Sequence, residues 1–99
     1  MPDVRSLAAT YGVQVEVVDL GGWGATVLIA EYDPSGPTIR VNRRALPTGS
    51  SCAVREAIDR AIAHELYHHR EAIGEIARLG DRRARERAAD EYAALTAVP

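Results

Sequence analysis

His64, Glu65 and His68 are the residues of this chain best suited to chemistry, in the run His64-Glu65-Leu66-Tyr67-His68 within an apolar-periodic segment from about Ser51 to Arg70. On an α-helix, with about 3.6 residues per turn, positions four apart lie one above the other. The two imidazoles are therefore spaced to bind one metal ion, and Glu65 flanks the same place. Two histidines with a carboxylate between them suit metal-assisted hydrolysis, in which the carboxylate takes a proton from a water that the metal activates.

A catalytic zinc ion wants three protein ligands and an open position. Glu86 is the best third ligand, because the seventeen residues between it and His68 let the chain turn back and lay a second helix across the first. Asp90 follows one turn later on the same face, placed to accept the outer N–H of a ligating histidine. Glu71, Glu75 and Glu91 compete with Glu86 for the third place. The bland readings are two surface histidines on an ordinary helix, and carboxylates solvated as i,i+4 partners of arginines such as Arg82 and Arg83. His69 lies about 100° around the helix from His68 and is read as a surface residue.

The elements that must position these groups describe an α+β domain. Asp3 caps a short helix with Val4, Leu7, Ala8 and Tyr11 on one face and Gly12 at its end. Val13–Leu20 alternates as a strand, Gly21-Gly22-Trp23-Gly24 reads as a turn, and Ala25–Tyr32 reads as a second strand. Asp33–Pro37 is a strong turn before a third strand, Thr38–Asn42, expected at a sheet edge. The expected sheet is three-stranded and mainly antiparallel, with the first helix on one face. Ser50 or Ser51 caps the long helix, whose apolar stripe is Val54, Ile58, Ala61, Ile62 and Leu66. Glu65 falls near the middle of that stripe and the histidines on its flank, so a buried site at the core edge is expected. Residues 73–79 continue the helix or break into a turn, and a last helix runs from about Asp81 to Ala97. Its Ala89, Ala93 and Ala97 permit close approach to another helix.

Composition bounds the rest. The 99 residues make one small domain, 1–99, with no room for a separate recognition unit. A net charge of −2, with arginines interspersed among acids, gives no case for direct nucleic-acid binding. The sequence has no apolar run long enough to span a membrane and no basic-then-apolar start, so a cytoplasmic protein is expected. The lone Cys52 excludes an internal disulfide and reads as a small packing residue. Nothing demands more than a monomer.

The second half of the chain resembles the ImmA/IrrE metallopeptidases, a gluzincin-type group associated with mobile elements and bacterial stress regulators. The resemblance lies in Ile39-Arg40-Val41-Asn42 before a proline-containing loop, in Ala63-His64-Glu65-Leu66-Tyr67-His68, and in Glu86-Arg87-Ala88-Ala89-Asp90-Glu91-Tyr92-Ala93-Ala94 ahead of Pro99. The last run is similar to the family's E-x-x-A-N-x-F-A-A. This resemblance implies a minimal zincin-like fold with one Zn2+ on His64, His68 and Glu86, Glu65 as catalytic acid/base, and Asp90 in support. It implies a protein or peptide substrate, in relatives a helix-turn-helix repressor, pairing with an edge strand at Ile39, Arg40, Val41 and Asn42. Tyr67 stands where the family usually has Gly, Asp90 replaces the common Asn, and many relatives continue beyond this point. No histidine follows His69, which leaves Tyr67, Tyr92 or an arginine to stabilise a developing oxyanion. The expected function is a zinc endopeptidase making limited cuts in a regulatory protein. The alternatives are a non-catalytic zinc-binding module that holds a repressor, or a degenerate mobile-element remnant. A purely structural zinc site would be closed by four ligands and have no use for Glu65.

Overall fold

A computed structural model describes residues 3–21 and 29–96. Helix α1 (Val4–Thr10) is followed by strands β1 (Gln14–Val18), β2 (Ala30–Asp33) and β3 (Thr38–Asn42), one 3-10 turn (Arg43–Ala45), and helices α2 (Ser51–Ala72) and α3 (Arg82–Thr96). The protein is thus α+β, with three α-helices and a three-stranded sheet among the described residues.

The caps follow the sequence closely. Asp3 accepts a hydrogen bond from the Ser6 N–H at 2.8 Å, and α1 ends as Gly12, at φ 71°, donates to the Ala9 carbonyl while Val13 donates to that of Ala8. That pair of bonds satisfies carbonyls the last turn would leave orphaned, and it needs the left-handed backbone glycine allows. Ser50 accepts from the Ala53 N–H to start α2, and Asp81 accepts from the Arg83 N–H to start α3. Residues 73–81 break from the helix and carry no regular element.

The sheet differs from the expectation. Its order is β1-β3-β2, with β1 parallel and β2 antiparallel to β3, so it is mixed rather than mainly antiparallel. β3 lies in the middle, paired along its length on both sides, and is not an edge. The burial of Thr38, Ile39, Val41 and Asn42 agrees with that central place. β1 and β2 flank β3 and are not paired with each other. The expected Gly21–Gly24 turn and the first part of the Ala25–Tyr32 strand fall largely in 22–28, outside the described residues, as does Ala97.

One face of the sheet carries the core. Ile39 and Val41 of β3 are fully buried with Ile62, Ala63 and Leu66 of α2, and Val4, Ala8, Val13, Ala30, Ala61 and Ala93 complete the cluster. α2 is the hub, packing on α1, β2, β3 and α3. The small side chains of Ala89 and Ala93, both buried, let α3 approach. On the other face Arg40 is surrounded by Glu16, Glu31 and Asp33 at 3.3–3.5 Å, using the cross-strand register Glu16↔Arg40↔Glu31. Cys52 sits exposed in the first turn of α2 rather than packed.

Leu66 is next to Glu65 and 0% exposed at the centre of this small core. Leu66→Ala is expected to lower the unfolding free energy by about 2–5 kcal/mol, read from denaturant melts, because the flanking alanines are too small to fill the void.

Candidate metal centre

The α2–α3 contact is where the chemistry-bearing residues meet. His64 and His68 lie one turn apart on one face of α2 and meet edge-on, with ring centroids 5.2 Å apart. Glu86, in the second turn of α3, reaches both: one carboxylate oxygen lies 2.9 Å from His64 Nε2 and the other 3.3 Å from His68 Nε2. Ligand atoms of His64, His68 and Glu86 all lie within 4.8 Å of one another, so these residues could hold a metal ion. The separations lie close to the edge of about 3.3 Å expected between ligand atoms around tetrahedral zinc.

The outer nitrogens of both rings have carboxylate partners. His64 Nδ1 is 2.8 Å from Asp90 Oδ1, and His68 Nδ1 is 2.8 Å from Glu71 Oε1. An ionised carboxylate only accepts, so each Nδ1 carries a hydrogen and donates it; in the neutral ring Nε2 then presents a lone pair. Both lone pairs face the Glu86 carboxylate, itself an acceptor. Three acceptors aimed at one place repel unless a metal ion, or an extra proton on each ring, lies between them. The donor set of two imidazoles and one carboxylate fits zinc.

Glu65 sits beside this cluster in an open cleft of about 440 Å³ lined by Tyr32, Glu65, His68, Arg82, Arg85 and Glu86. Burial pushes its carboxyl above the usual carboxylate range, His64 and His68 pull it back, and Glu86 adds to the rise. The expectation of a carboxylate at the core edge agrees with this environment.

The rivals for the third ligand have other partners. Glu71 is buried, 2% exposed in its side chain, and holds His68 from behind while accepting a two-pronged contact from Arg85. Burial alone would raise its pKa, but the bonds from Arg85 and His68 outweigh that and hold it below the usual range. Glu75 accepts from the Tyr11 hydroxyl at 2.6 Å and pairs with Arg70. Glu91 is exposed on α3 and outside the metal-ligand group.

Two further expectations need correction. His69 is not a surface residue: it is 3% exposed, its Nδ1 lies 2.7 Å from the Tyr32 hydroxyl, and the rings of Tyr11 and Tyr32 meet it edge-on. It extends the inner face of α2, three residues after Leu66 and seven after Ile62. Ile39, Arg40, Val41 and Asn42 do not offer a free strand edge. Arg40 is engaged by carboxylates, and Asn42 accepts from the Leu20 and Arg44 N–H groups while donating to the Gly21 carbonyl. Tyr67 packs on Tyr92 at 5.8 Å and meets the His68 ring edge-on at 5.9 Å, and the Arg70 guanidinium lies over the Tyr92 ring. Besides Glu65, His68 and Glu86, the cleft is lined by Tyr32, Arg82 and Arg85. Sequence reasoning missed these three as cleft residues; only the general mention of arginines pointed their way.

Tyr11 and Tyr32 carry a testable signature. The bond to Glu75 raises the Tyr11 pKa and burial raises that of Tyr32. A phenol raised in the folded state contributes stability that is full below its ordinary value near 10 and is lost as pH rises through the folded value. Tyrosinate absorbance is expected to show Tyr11 and Tyr32 ionising above the ordinary value near 10, with Tyr11→Phe removing one of these late transitions.

No family model, curated protein or solved structure matches this chain.

Proposed function

We propose that this protein is a zinc-dependent endopeptidase of the HExxH type that makes limited cuts in a regulatory protein. The observation carrying the reading is the convergence of the two histidine Nε2 atoms and the Glu86 carboxylate beside Glu65, in a cleft open to an incoming chain. His64, His68 and Glu86 would hold the ion, leaving room for substrate. When bound, zinc supplies Lewis-acid polarisation of the scissile carbonyl and acidifies a water.

The chain's own groups do the rest. Glu65, kept basic by its buried setting, accepts the proton of the attacking water and delivers it to the leaving amine nitrogen. Arg82 lines the cleft with no hydrogen-bond partner among the described residues, and its guanidinium is available to the carbonyl oxygen as negative charge develops. Arg85 is committed to Glu71. β2 borders the cleft through Tyr32 and has no strand partner on its outer side among the described residues. An extended substrate segment therefore pairs with Ala30–Asp33, in place of the strand expected from the sequence.

A helix-turn-helix repressor as substrate, and a mobile-element setting, follow from the resemblance to ImmA/IrrE peptidases. A reducing, cytoplasmic compartment suits the exposed Cys52. No described helix is long and apolar enough to cross a membrane. The test is incubation of the zinc-loaded protein with a repressor of that class and with an unstructured control protein, fragments being read by mass spectrometry. A small number of cuts, abolished by chelator and restored by zinc, is the expected result; repressor binding without cleavage overturns the reading.

A further inference from the structure

We infer that Glu71 and Arg85 form a positioning pair that presets the metal centre, acting on His68 from behind and on Glu86 through the backbone of α3. The inference rests on the metal-site reading above.

The geometry ties three groups together. Glu71 Oε1 accepts both from His68 Nδ1 at 2.8 Å and from an Arg85 terminal nitrogen at 3.1 Å, while Oε2 accepts from Arg85 Nε at 3.2 Å. The Glu71 side chain is 2% exposed, so a carboxylate there is costly unless every oxygen is occupied. Arg85 meets that need with a planar fork that a point charge cannot reproduce. Arg85 also immediately precedes Glu86, which reaches both histidines. One buried contact thus orients a ligand of α2 and sets the register of the helix bearing the third ligand.

The two histidines are supported unequally. His64 leans on Asp90, whose side chain is 74% exposed, whereas His68 leans on the buried Glu71. Water and salt screen the first pair and barely reach the second, so Glu71 is the stronger influence on ligand orientation and basicity. The Glu71 oxygens are taken up by His68 Nδ1 and Arg85, and Glu71 is not in the metal-ligand group, so the pair acts through His68 and Glu86.

The test uses Zn2+ alone, its affinity measured by competition with a chromophoric chelator, together with the visible spectrum of the Co2+-loaded protein. Glu71→Gln is expected to weaken zinc about 10–100-fold and to alter the Co2+ spectrum while the protein stays folded by circular dichroism. Asp90→Asn is expected to cost less. The double variant Glu71→Gln/Arg85→Met should cost no more than Glu71→Gln alone, because Arg85 works through Glu71. Arg85→Lys, which keeps the charge and drops the fork, should give a smaller loss; it carries the test if Glu71→Gln does not fold. Variants that melt earlier yet bind zinc and shape the Co2+ spectrum as wild type does overturn the inference, the pair then being only a buried brace. A wild-type protein that binds no zinc overturns the underlying metal-site reading, and does so before any variant is made.

Discussion

Glu65→Gln is expected to keep zinc on the protein and to slow peptide cleavage by about 10²–10⁴-fold, the usual worth of a positioned general base. Gln keeps the shape of the side chain and cannot carry a proton. Glu65 is not among the three residues gathered as metal ligands, so metal content should not change. Burial and Glu86 both disfavour the Glu65 carboxylate in the metal-free protein, so neutralising it should not lower thermal stability. Metal analysis, a melting curve and a cleavage assay on the same preparations check all three statements. Equal cleavage by both forms would place the base elsewhere. Equal inhibition of a repressor by both forms, without cleavage, would point to a binding module.

Glu86→Ala should act on the other half of the site, weakening zinc by more than the about 10–100-fold that loss of an outer partner costs. Glu86 is the one residue that α3 contributes to the ligand group, and it spans both histidines at 2.9 and 3.3 Å. Its side chain is 48% exposed, so truncation leaves no cavity and the metal-free fold should be nearly unaffected. Isothermal titration of the variant with zinc is the check. Unchanged affinity would remove Glu86 from the ligand set and return attention to Glu71, the carboxylate already bonded to His68.

What the sequence disclosed follows from the range of the interactions involved. The edge-on meeting of His64 and His68 is a property of one helix turn, and the Asp90 contact to His64 follows once two helices with readable caps lie side by side. Strand order is different in kind, because pairing joins residues distant in sequence and alternation does not name the neighbour. The glycines at 21–24 suggested a hairpin, yet β1 and β2 lie on opposite sides of β3. That error moved the free edge from β2 to β3, and with it the expected place of substrate pairing. The burial of Thr38 and Asn42 beside Ile39 and Val41 marks a strand with a neighbour on each side, a signal that two polar residues obscure in the sequence.

His69 was misplaced for a geometric reason. It points about 100° around the helix from His68, away from the metal face, and on a helix covered on one side only that direction would be solvent. α2 is covered on more than one side, by β2 and β3, by α1 and by α3, so leaving the metal face leads into the core. The stripe Ile62, Leu66, His69 carried the signal. Glu71, a carboxylate three residues after His68, is placed to hold that ring's outer nitrogen as well as to compete for the metal. Arg85 could not be singled out among so many arginines until the packing of α3 on α2 set its fork against Glu71.

The most direct test of the account is zinc titration of the wild-type protein combined with X-ray absorption at the zinc edge. One zinc per chain, bound by two imidazole nitrogens and one carboxylate oxygen at about 2.0–2.2 Å with a light exchangeable fourth ligand, is the predicted result. A chain that takes up no zinc, or whose zinc is not bound by the two histidines, contradicts it.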